Sequence, residues 1–273
     1  MSAPAAVLPP LDAALGAAVW RANQLGHQTA RGVPSQFAAL DAELPGGGWP
    51  VGGLTELLIE RHGIGELRLV LPALALLARD GREVLWIAPP FIPYAPALQQ
   101  HGLALDRLLV AHAPQRADRL WAIEQALKSA AVGALVAWLP EDDGALIASD
   151  RLRRLQLAAQ GTRCLAFIVR PRAARNAASP APLRLQLAPA GADPQRLQVD
   201  ILKRRGPPLA APLVLALPPV VPAGAPARTT ARAANGHDFG KTPEHESHAP
   251  FPSRSPLSSQ RQAGSGVAAR LSR

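Results

Sequence analysis

Apolar residues in the middle of the chain follow two alternating patterns. Short, nearly continuous apolar runs predict strands at 54–60, 83–88, 108–113, 133–139 and 163–170. Apolar residues repeated every three or four positions predict helices at 66–79, 94–101, 117–130 and 146–160. Strands that are apolar throughout and alternate with helices are typical of a parallel sheet covered on both faces. We therefore expect an α/β fold with a mainly parallel sheet flanked by helices.

The pattern changes after residue 171. The segments "LRLQLAP" at 183–189 and "RLQVDILKRRG" at 196–206 alternate apolar and polar residues. This alternation predicts strands with one buried face, and we expect them to join the edge of the sheet in antiparallel orientation.

The two ends of the chain differ from this middle part. Residues 11–26 place apolar residues at helical spacing and predict a leading helix. Residues 218–273 contain eight Pro, five Gly and seven Ser but only two aromatic residues, a composition that predicts disorder. We therefore expect an N-terminal helical segment over 1–32, one α/β domain over 33–217 and a basic, disordered tail over 218–273.

Positive charge is concentrated late in the predicted domain. The chain has a net charge of +9, and residues 163–205 contain nine basic and two acidic side chains. Such a distribution favours a polyanion or an acidic protein surface as the partner. Because 26 of the 29 basic residues are Arg, biased codon usage is an alternative explanation, and charge alone does not decide whether nucleic acid is bound.

Other compositional features narrow the protein class. Cys164 is the only cysteine and lies in a predicted buried strand, so we expect no disulfide within the chain, no cysteine-based zinc site and no reactive thiol. The N-terminus lacks the basic start and apolar stretch of a signal peptide. No uncharged apolar run approaches the roughly 18 residues that cross a bilayer, and we expect a cytoplasmic protein without membrane contact.

The segment "RHGIGELRL" at 61–69 lies between the first predicted strand and the first predicted helix. A phosphate loop at this position needs the pattern G-x-x-x-x-G-K-[ST], in which the lysine neutralises the phosphates and the hydroxyl binds Mg²⁺. Gly65 fits this pattern, but Glu66 replaces the lysine and Leu67 replaces the hydroxyl. The loop is therefore a degenerate phosphate loop.

Three interpretations of this loop remain open. In the first, ATP binds through Gly63, Gly65 and the helix N-terminus, with Arg61 supplying positive charge. However, a carboxylate about 4 Å from a phosphate costs about 4 kcal/mol at an effective dielectric constant of 20. In the second, the Glu66 carboxylate satisfies the helix N-terminus, and the loop is a structural turn.

The third interpretation is a protein contact made by the exposed residues Arg61, His62 and Ile64.

We expect that no nucleotide, cofactor or metal is bound. The acidic run Glu141, Asp142 and Asp143 is a possible metal site by chemistry, but a solvated loop is its simpler interpretation.

The stretch "PSQFAALDAELPGGGWPVGGLTELL" from Pro34 resembles the entry to the core of RecA and its relatives. The matching positions are Phe37, Leu40, Asp41, Gly46 to Gly48, Pro50, Gly53, Thr55 and Glu56. "ILKRRGPP" at 201–208 resembles a strand end whose basic residues reach the neighbouring subunit's nucleotide in recombinase filaments. Lys203 and Arg205 match its basic positions, whereas Arg204 replaces an Asn.

The catalytic residues of RecA-like ATPases have no counterparts here. The resemblance places a catalytic carboxylate after the second strand, where this chain has Pro89 and Pro90. It places a Mg²⁺-binding Asp at the end of the fourth strand, where Trp138 and Leu139 stand. We therefore expect a protein that is not an enzyme.

Taken together, these blocks resemble the ImuA family over residues 33–217. This resemblance implies a non-catalytic accessory protein of SOS-induced translesion DNA synthesis. Its implied partners are an ImuB-type inactive Y-family polymerase homologue and an error-prone replicative-type polymerase, with RecA and DNA as further candidates. The residues implied in partner or DNA contact are Lys203, Arg204, Arg205, Arg170, Arg172 and Arg175.

Two alternatives come from the same lineage. SulA, the SOS inhibitor of cell division, also has a RecA-like fold without ATPase residues, and its implied target is the tubulin-like division protein. An ATP-dependent recombinase is the other alternative, and it requires ATP turnover that depends on Gly65.

Overall fold

The computed structural model describes residues 32–141 and 146–219. The predicted helix at 11–26 lies outside these residues, as do Asp142, Asp143 and the tail from residue 220. No helix in the described part of the chain combines the length and apolar character needed to cross a bilayer.

The described residues form one eight-stranded sheet in the order β3-β2-β4-β5-β1-β6-β7-β8. The strands are β1 Gly53–Ile59, β2 Glu83–Ile87, β3 Leu108–Ala111, β4 Val132–Trp138, β5 Leu165–Pro171, β6 Leu183–Pro189, β7 Arg196–Lys203 and β8 Leu213–Ala216. The first five agree with the predicted strands, and β1 to β5 pair in parallel. The predicted α/β fold with a mainly parallel sheet is confirmed.

Among the described residues, one short helix precedes β1, and four helices connect the parallel strands. They are α1 Ala38–Asp41, α2 Glu66–Arg79, α3 Ala95–Gln100, α4 Arg116–Lys128 and α5 Ser149–Ala159, with short 3₁₀ turns at Leu105–Arg107 and Arg172–Asn176. Helix α2 has the predicted bounds and includes Pro72. Each of α3, α4 and α5 lies within three residues of its predicted bounds.

The sheet separates two apolar cores, because successive side chains of a strand point to opposite faces. On β5, Phe167 and Val169 pack into the core that contains the buried face of α2. Ala166 and Ile168, on the same strand, pack into the core beneath α4 and α5. The buried parallel strands therefore read as continuous apolar runs, as the sequence indicates.

Strands β7 and β8 add to the sheet in antiparallel orientation, which confirms antiparallel edge strands. Strand β6 differs from the expectation, since it pairs in parallel with β1 and antiparallel with β7. The alternation of apolar and polar residues in β6 shows that one face of the strand is more buried than the other. It does not show in which direction the strand runs.

Candidate functional site

The degenerate phosphate loop lies at the carboxyl edge of the parallel strands, where open α/β sheets place their ligand sites. Its two glycines adopt positive φ angles, +83° at Gly63 and +115° at Gly65. Glycine reaches this region without a steric penalty. The loop therefore keeps a tight turn between β1 and α2 although the phosphate-binding lysine is absent.

The Glu66 carboxylate binds the amide groups of this turn. Its Oε1 accepts a hydrogen bond from the Gly63 N–H at 2.9 Å, and its Oε2 accepts one from the Gly65 N–H at 3.1 Å. Glu66 is only 5% exposed. A carboxylate of the chain itself thus satisfies two amides of the loop, which supports a structural turn. Both donors lie before the first helical residue, so the structure corrects the expectation that Glu66 satisfies the N-terminus of α2.

The C-terminal part of the described chain closes over the same loop. Arg68 donates from Nη1 to the Pro218 carbonyl at 3.0 Å and from Nη2 to the Pro194 carbonyl at 2.5 Å. A Cβ atom added to Gly65 would lie 2.3 Å from Leu217 Cδ1. Burial lowers the pKa of Arg68, while the charge of Glu66 raises it. The turn between β6 and β7 and the chain after β8 therefore contact the start of α2 and Gly65, while residues 61–63 stay exposed.

A cavity of about 320 Å³ lies beside this loop, and we call it the edge cavity. Helix α2 forms one wall, and residues 89–94 with α3 form the other. Trp86 and Trp138 contribute their side chains to it and pack edge to face with ring centroids 5.7 Å apart. Trp138 therefore puts an indole where the family resemblance implies a Mg²⁺-binding carboxylate.

His101 lines the α3 side of the edge cavity. Burial, and secondarily the charge of Arg68, lower the pKa of His101. A lowered pKa keeps the imidazole neutral at physiological pH. The α3 side of the edge cavity is therefore uncharged as well as largely apolar.

Residues 89–94, "PPFIPY", form an exposed apolar loop that we call the proline loop. Phe91 is 70% exposed, Ile92 90% and Tyr94 47%. The ring of His62 stands edge to face with Phe91 at a centroid distance of 6.1 Å. Ala88, immediately before the loop, has a φ of +51°, a strained conformation of the kind found at functional sites.

Three of the large apolar side chains exposed in the described chain thus lie within four consecutive positions. A cluster of this kind on a soluble protein marks a binding surface more often than scattered single residues do. We call Arg61, His62, Phe91, Ile92 and Tyr94 together the edge surface, and all five are exposed. Ile64 does not belong to it, because it is only 8% exposed and packs into the core. This burial corrects the prediction that Ile64 is available to a partner.

The structure does not bring the predicted basic contact residues together. Arg204 and Arg205 lie beside Gly52 and Gly53 at the start of β1, which is the amino edge of the parallel strands. Arg172 follows β5 at the carboxyl edge, where it pairs with Glu60 at 3.0 Å. A single basic surface made from both sets is therefore absent from the described chain.

Several of these side chains are already paired. Arg204 is 11% exposed and its Nη1 lies 2.6 Å from Glu43 Oε2. Arg175 Nη1 lies 3.2 Å from Asp200 Oδ2 and also donates to Gln186. Lys203 Nζ donates to a carbonyl oxygen at 3.0 Å, but Lys203 and Arg205 both remain exposed.

Arg170 lies in the interior and has a structural role. It is 1% exposed, and its Nη1 lies 3.0 Å from Oε1 of Glu56, which is fully buried. Arg184 donates from Nε to the other Glu56 oxygen at 2.8 Å, and the Ser179 hydroxyl donates to Oε1 at 2.6 Å. A side chain with this burial does not reach a partner, so Arg170 leaves the set of contact candidates.

The remaining predicted chemical groups also have defined positions. Cys164 is 1% exposed, and burial raises the pKa of its thiol to about 12. Glu141 is exposed, whereas Asp142 and Asp143 lie outside the described residues. Within residues 32–141 and 146–219, no group of three His, Cys, Asp or Glu side chains is placed to hold a metal ion.

Comparison with known proteins identifies relatives of this fold. A family model described as "Cell division inhibitor SulA" matches residues 52–166, which run from β1 into the start of β5. A cell division inhibitor SulA from Serratia proteamaculans is 31% identical over 130 residues, covering 48% of this chain and 74% of the relative. One from Serratia marcescens is 31% identical over 120 residues, covering 44% of this chain and 68% of the relative.

Another relative is shared over less of its length. A cell division inhibitor SulA from Pectobacterium atrosepticum is 33% identical over 106 residues, covering 39% of this chain and 61% of the relative. The chain thus spans about three fifths of the length of that relative. These relatives are named as inhibitors of cell division, which agrees with the expectation that the chain is not an enzyme. The matches establish that the chain belongs to the SulA cell division inhibitor family.

Proposed function

We propose that the chain is a non-catalytic inhibitor that blocks cell division by binding the tubulin-like division protein through the edge surface. The observation that carries this proposal is the exposure of Phe91 and Ile92 at 70% and 90%. Both residues lie within the region that matches the SulA family model. The proposal places this inhibition in the SOS response and in the cytoplasm.

The edge surface has the energetics of a binding site. Burial of a Phe or an Ile side chain contributes about 1.5–3 kcal/mol relative to leaving it in water. Pro89, Pro90 and Pro93 flank these side chains, and each fixes its own φ angle. A loop restrained in this way loses less conformational entropy on association than a flexible loop.

The neighbouring loop supports contact rather than ATP hydrolysis. The hydrogen bonds that Glu66 accepts from Gly63 and Gly65 occupy the amides that would otherwise face a phosphate. Trp138 and Pro89 stand where carboxylates are needed for catalysis. We therefore assign the carboxyl edge a role in protein recognition.

A second candidate function is the accessory role in translesion synthesis that the ImuA resemblance implies. The match to the SulA family model ends at residue 166. Strands β6 to β8, over residues 183–216, lie beyond it, and this additional part of the sheet supports the second candidate. Arg68 and Leu217 join this part to the degenerate phosphate loop. The partners are then an ImuB-type polymerase homologue, an error-prone replicative-type polymerase, RecA or DNA. Exposed Lys203 and Arg205, with Arg172 and Arg175, are the contact candidates.

Cell length on overproduction of the full chain tests the first function. We expect the wild-type chain to produce filamentous cells and Ile92→Asp to restore normal length. Leu157→Asp is the matched control, because Leu157 is 61% exposed on α5 and lies outside the edge surface. The wild-type chain and Ile92→Asp should be compared at equal protein levels. Normal cell length with the wild-type chain at that level contradicts the proposal.

Damage-induced mutation frequency distinguishes the second function. Deletion of the chain in its own host lowers this frequency if the chain serves translesion synthesis, and wild-type chain restores it. An unchanged mutation frequency together with filamentation supports inhibition of division alone. Substitution of Lys203 and Arg205 by Glu then shows whether the basic amino edge contributes to mutagenesis.

A further inference from the structure

Helices α4 and α5 enclose a groove of about 500 Å³ that the proposed function does not use. The aliphatic side chains of Ala117, Leu120 and Leu155 line it, and Trp121 stands beside them. Trp121 is 64% exposed, which is uncommon for so large an apolar side chain. We call this site the α4–α5 groove.

The charged residues of the groove favour an acidic ligand. Its lining includes three arginines, Arg116, Arg151 and Arg154, and one acidic residue, Glu124. The Arg151 and Arg154 side chains are 61% and 64% exposed, and Arg151 Nε lies 3.8 Å from Oδ2 of the exposed Asp150. The sequences of α4 and α5 together hold six basic and three acidic side chains.

Glu124 offsets one of these three positive charges, which leaves the groove lining with a net charge of +2. Basic groups of the chain engage both of its oxygens. Lys128 Nζ lies 2.6 Å from Oε1, and Arg154 Nε lies 2.6 Å from Oε2. Hydrogen bonds from Lys128 first and Arg154 second hold the pKa of the carboxyl below its ordinary value. Glu124 thus stays ionised, and its bond to Arg154 fixes that guanidinium at the groove.

We infer that the α4–α5 groove binds a short acidic segment of a partner protein that carries one large apolar side chain. The apolar side chain packs between Trp121 and the aliphatic lining, where both surfaces leave water. Carboxylates on either side of it pair with Arg151 and Arg154, since guanidinium groups bind carboxylates through parallel hydrogen bonds.

A peptide fits the groove better than a nucleic acid does. Single-stranded nucleic acid needs a basic track along successive phosphates, with aromatic rings on which bases stack. Here the groove lining contains one aromatic side chain, Trp121, and Asp118 and Asp150 lie exposed on the same helices. A single aromatic ring stacks one base only, whereas a peptide needs just one apolar anchor with carboxylates beside it.

Selection from a random peptide library on the full chain tests this inference. We expect enriched peptides to be acidic around one aromatic or large aliphatic residue and to lose affinity as salt concentration rises. Trp121→Ala should weaken a selected peptide by about tenfold or more, and Arg151→Glu should weaken it independently. Leu157→Ala is the matched control, because it truncates an exposed apolar residue of α5 outside the groove lining.

Thermal unfolding of each variant checks that the fold is retained. If Trp121→Ala does not fold, the charge reversal at Arg151 provides a second test. Peptides that are not acidic, or that bind both variants as tightly as wild type, overturn the inference. Binding of oligothymidylate that depends on Trp121, without peptide binding, overturns it in favour of a nucleic-acid site. The edge surface is separate, so Ile92→Asp should leave peptide binding unchanged.

Discussion

The Glu66 carboxylate accepts a hydrogen bond from the backbone N–H of Gly63 at a distance of 2.9 Å. The same carboxylate accepts a second bond from Gly65, so a side chain of α2 organises the turn from which α2 begins. In a phosphate loop, such amides face a nucleotide. In this chain they hold a carboxylate in place, and the turn is complete without a ligand.

Replacement of Glu66 by Gln should destabilise the fold by about 1–3 kcal/mol, because it removes charge from two hydrogen bonds in a buried site. Urea denaturation measures this loss as a lower transition midpoint. Glu60→Gln is the control, since the Glu60 side chain is 75% exposed and pairs with an exposed Arg172; its loss should stay below about 1 kcal/mol. Equal midpoints for the two variants would show that Glu66 does not support the loop.

Glu56→Ala should lower the free energy of unfolding by about 3–5 kcal/mol, because it leaves Arg170 and Arg184 buried without their shared counter-ion. Both guanidinium groups contact Glu56, at 3.0 and 2.8 Å. Glu83→Ala removes the partner of Arg107 in an ion pair whose side chains are 26% and 42% exposed, and it should lower the free energy of unfolding by about 1 kcal/mol or less. A small effect at Glu56, comparable with that at Glu83, would mean that water or neighbouring groups stabilise the two buried arginines.

Alanine substitutions at the two loop glycines should separate backbone strain from steric overlap. Both residues have positive φ, but a Cβ at Gly63 meets nothing within 4 Å, whereas one at Gly65 lies 2.3 Å from Leu217 Cδ1. Gly63→Ala should therefore lower the free energy of unfolding by about 1–2 kcal/mol through backbone strain, and Gly65→Ala should lower it by distinctly more. Adding Leu217→Ala to Gly65→Ala should relieve the overlap. Leu217→Ala should therefore lower the free energy of unfolding less in the Gly65→Ala background than in the wild-type chain.

Cys164 should be inert towards thiol reagents in the folded protein. It is buried, and desolvation raises the pKa of its thiol to about 12, so the reactive thiolate is scarce at neutral pH. Because the folded pKa exceeds the unfolded value of about 8.5, this group's contribution to stability is complete below that value and is lost as pH rises towards 12. Fast labelling at pH 8 without denaturant would contradict this expectation.

The sequence predicts the parallel part of the fold well for a physical reason. Buried strands and amphipathic helices each leave a distinct apolar period, and α2 begins and ends at the predicted residues. The direction of β6 could not be predicted, because alternation reports which face is buried and not which neighbour is paired. Strand β8 is four residues long, too short to show a period.

The candidate site was less accessible to sequence reasoning. Arg170 stands inside an apolar run, as Glu56 does in "LTELLIE", and these isolated charges signal a buried ion pair rather than a contact surface. The partners are separated by 114 residues in the chain, so only the fold shows that they meet. The apolar run "PPFIPY" gave a signal that was missed, since its prolines exclude a strand and leave Phe91 and Ile92 at the surface. Exposure of Trp121 depends on the packing of α4 against α5, which helical period alone does not define.

The affinity of the purified full chain for the purified tubulin-like division protein tests the central claim most directly. Titration calorimetry should show saturable binding, with affinity reduced by about tenfold or more in Ile92→Asp and unchanged in Leu157→Asp. Absence of binding by the folded wild-type chain, or equal affinity for Ile92→Asp and wild type, would contradict the assignment of the edge surface as an inhibitory site.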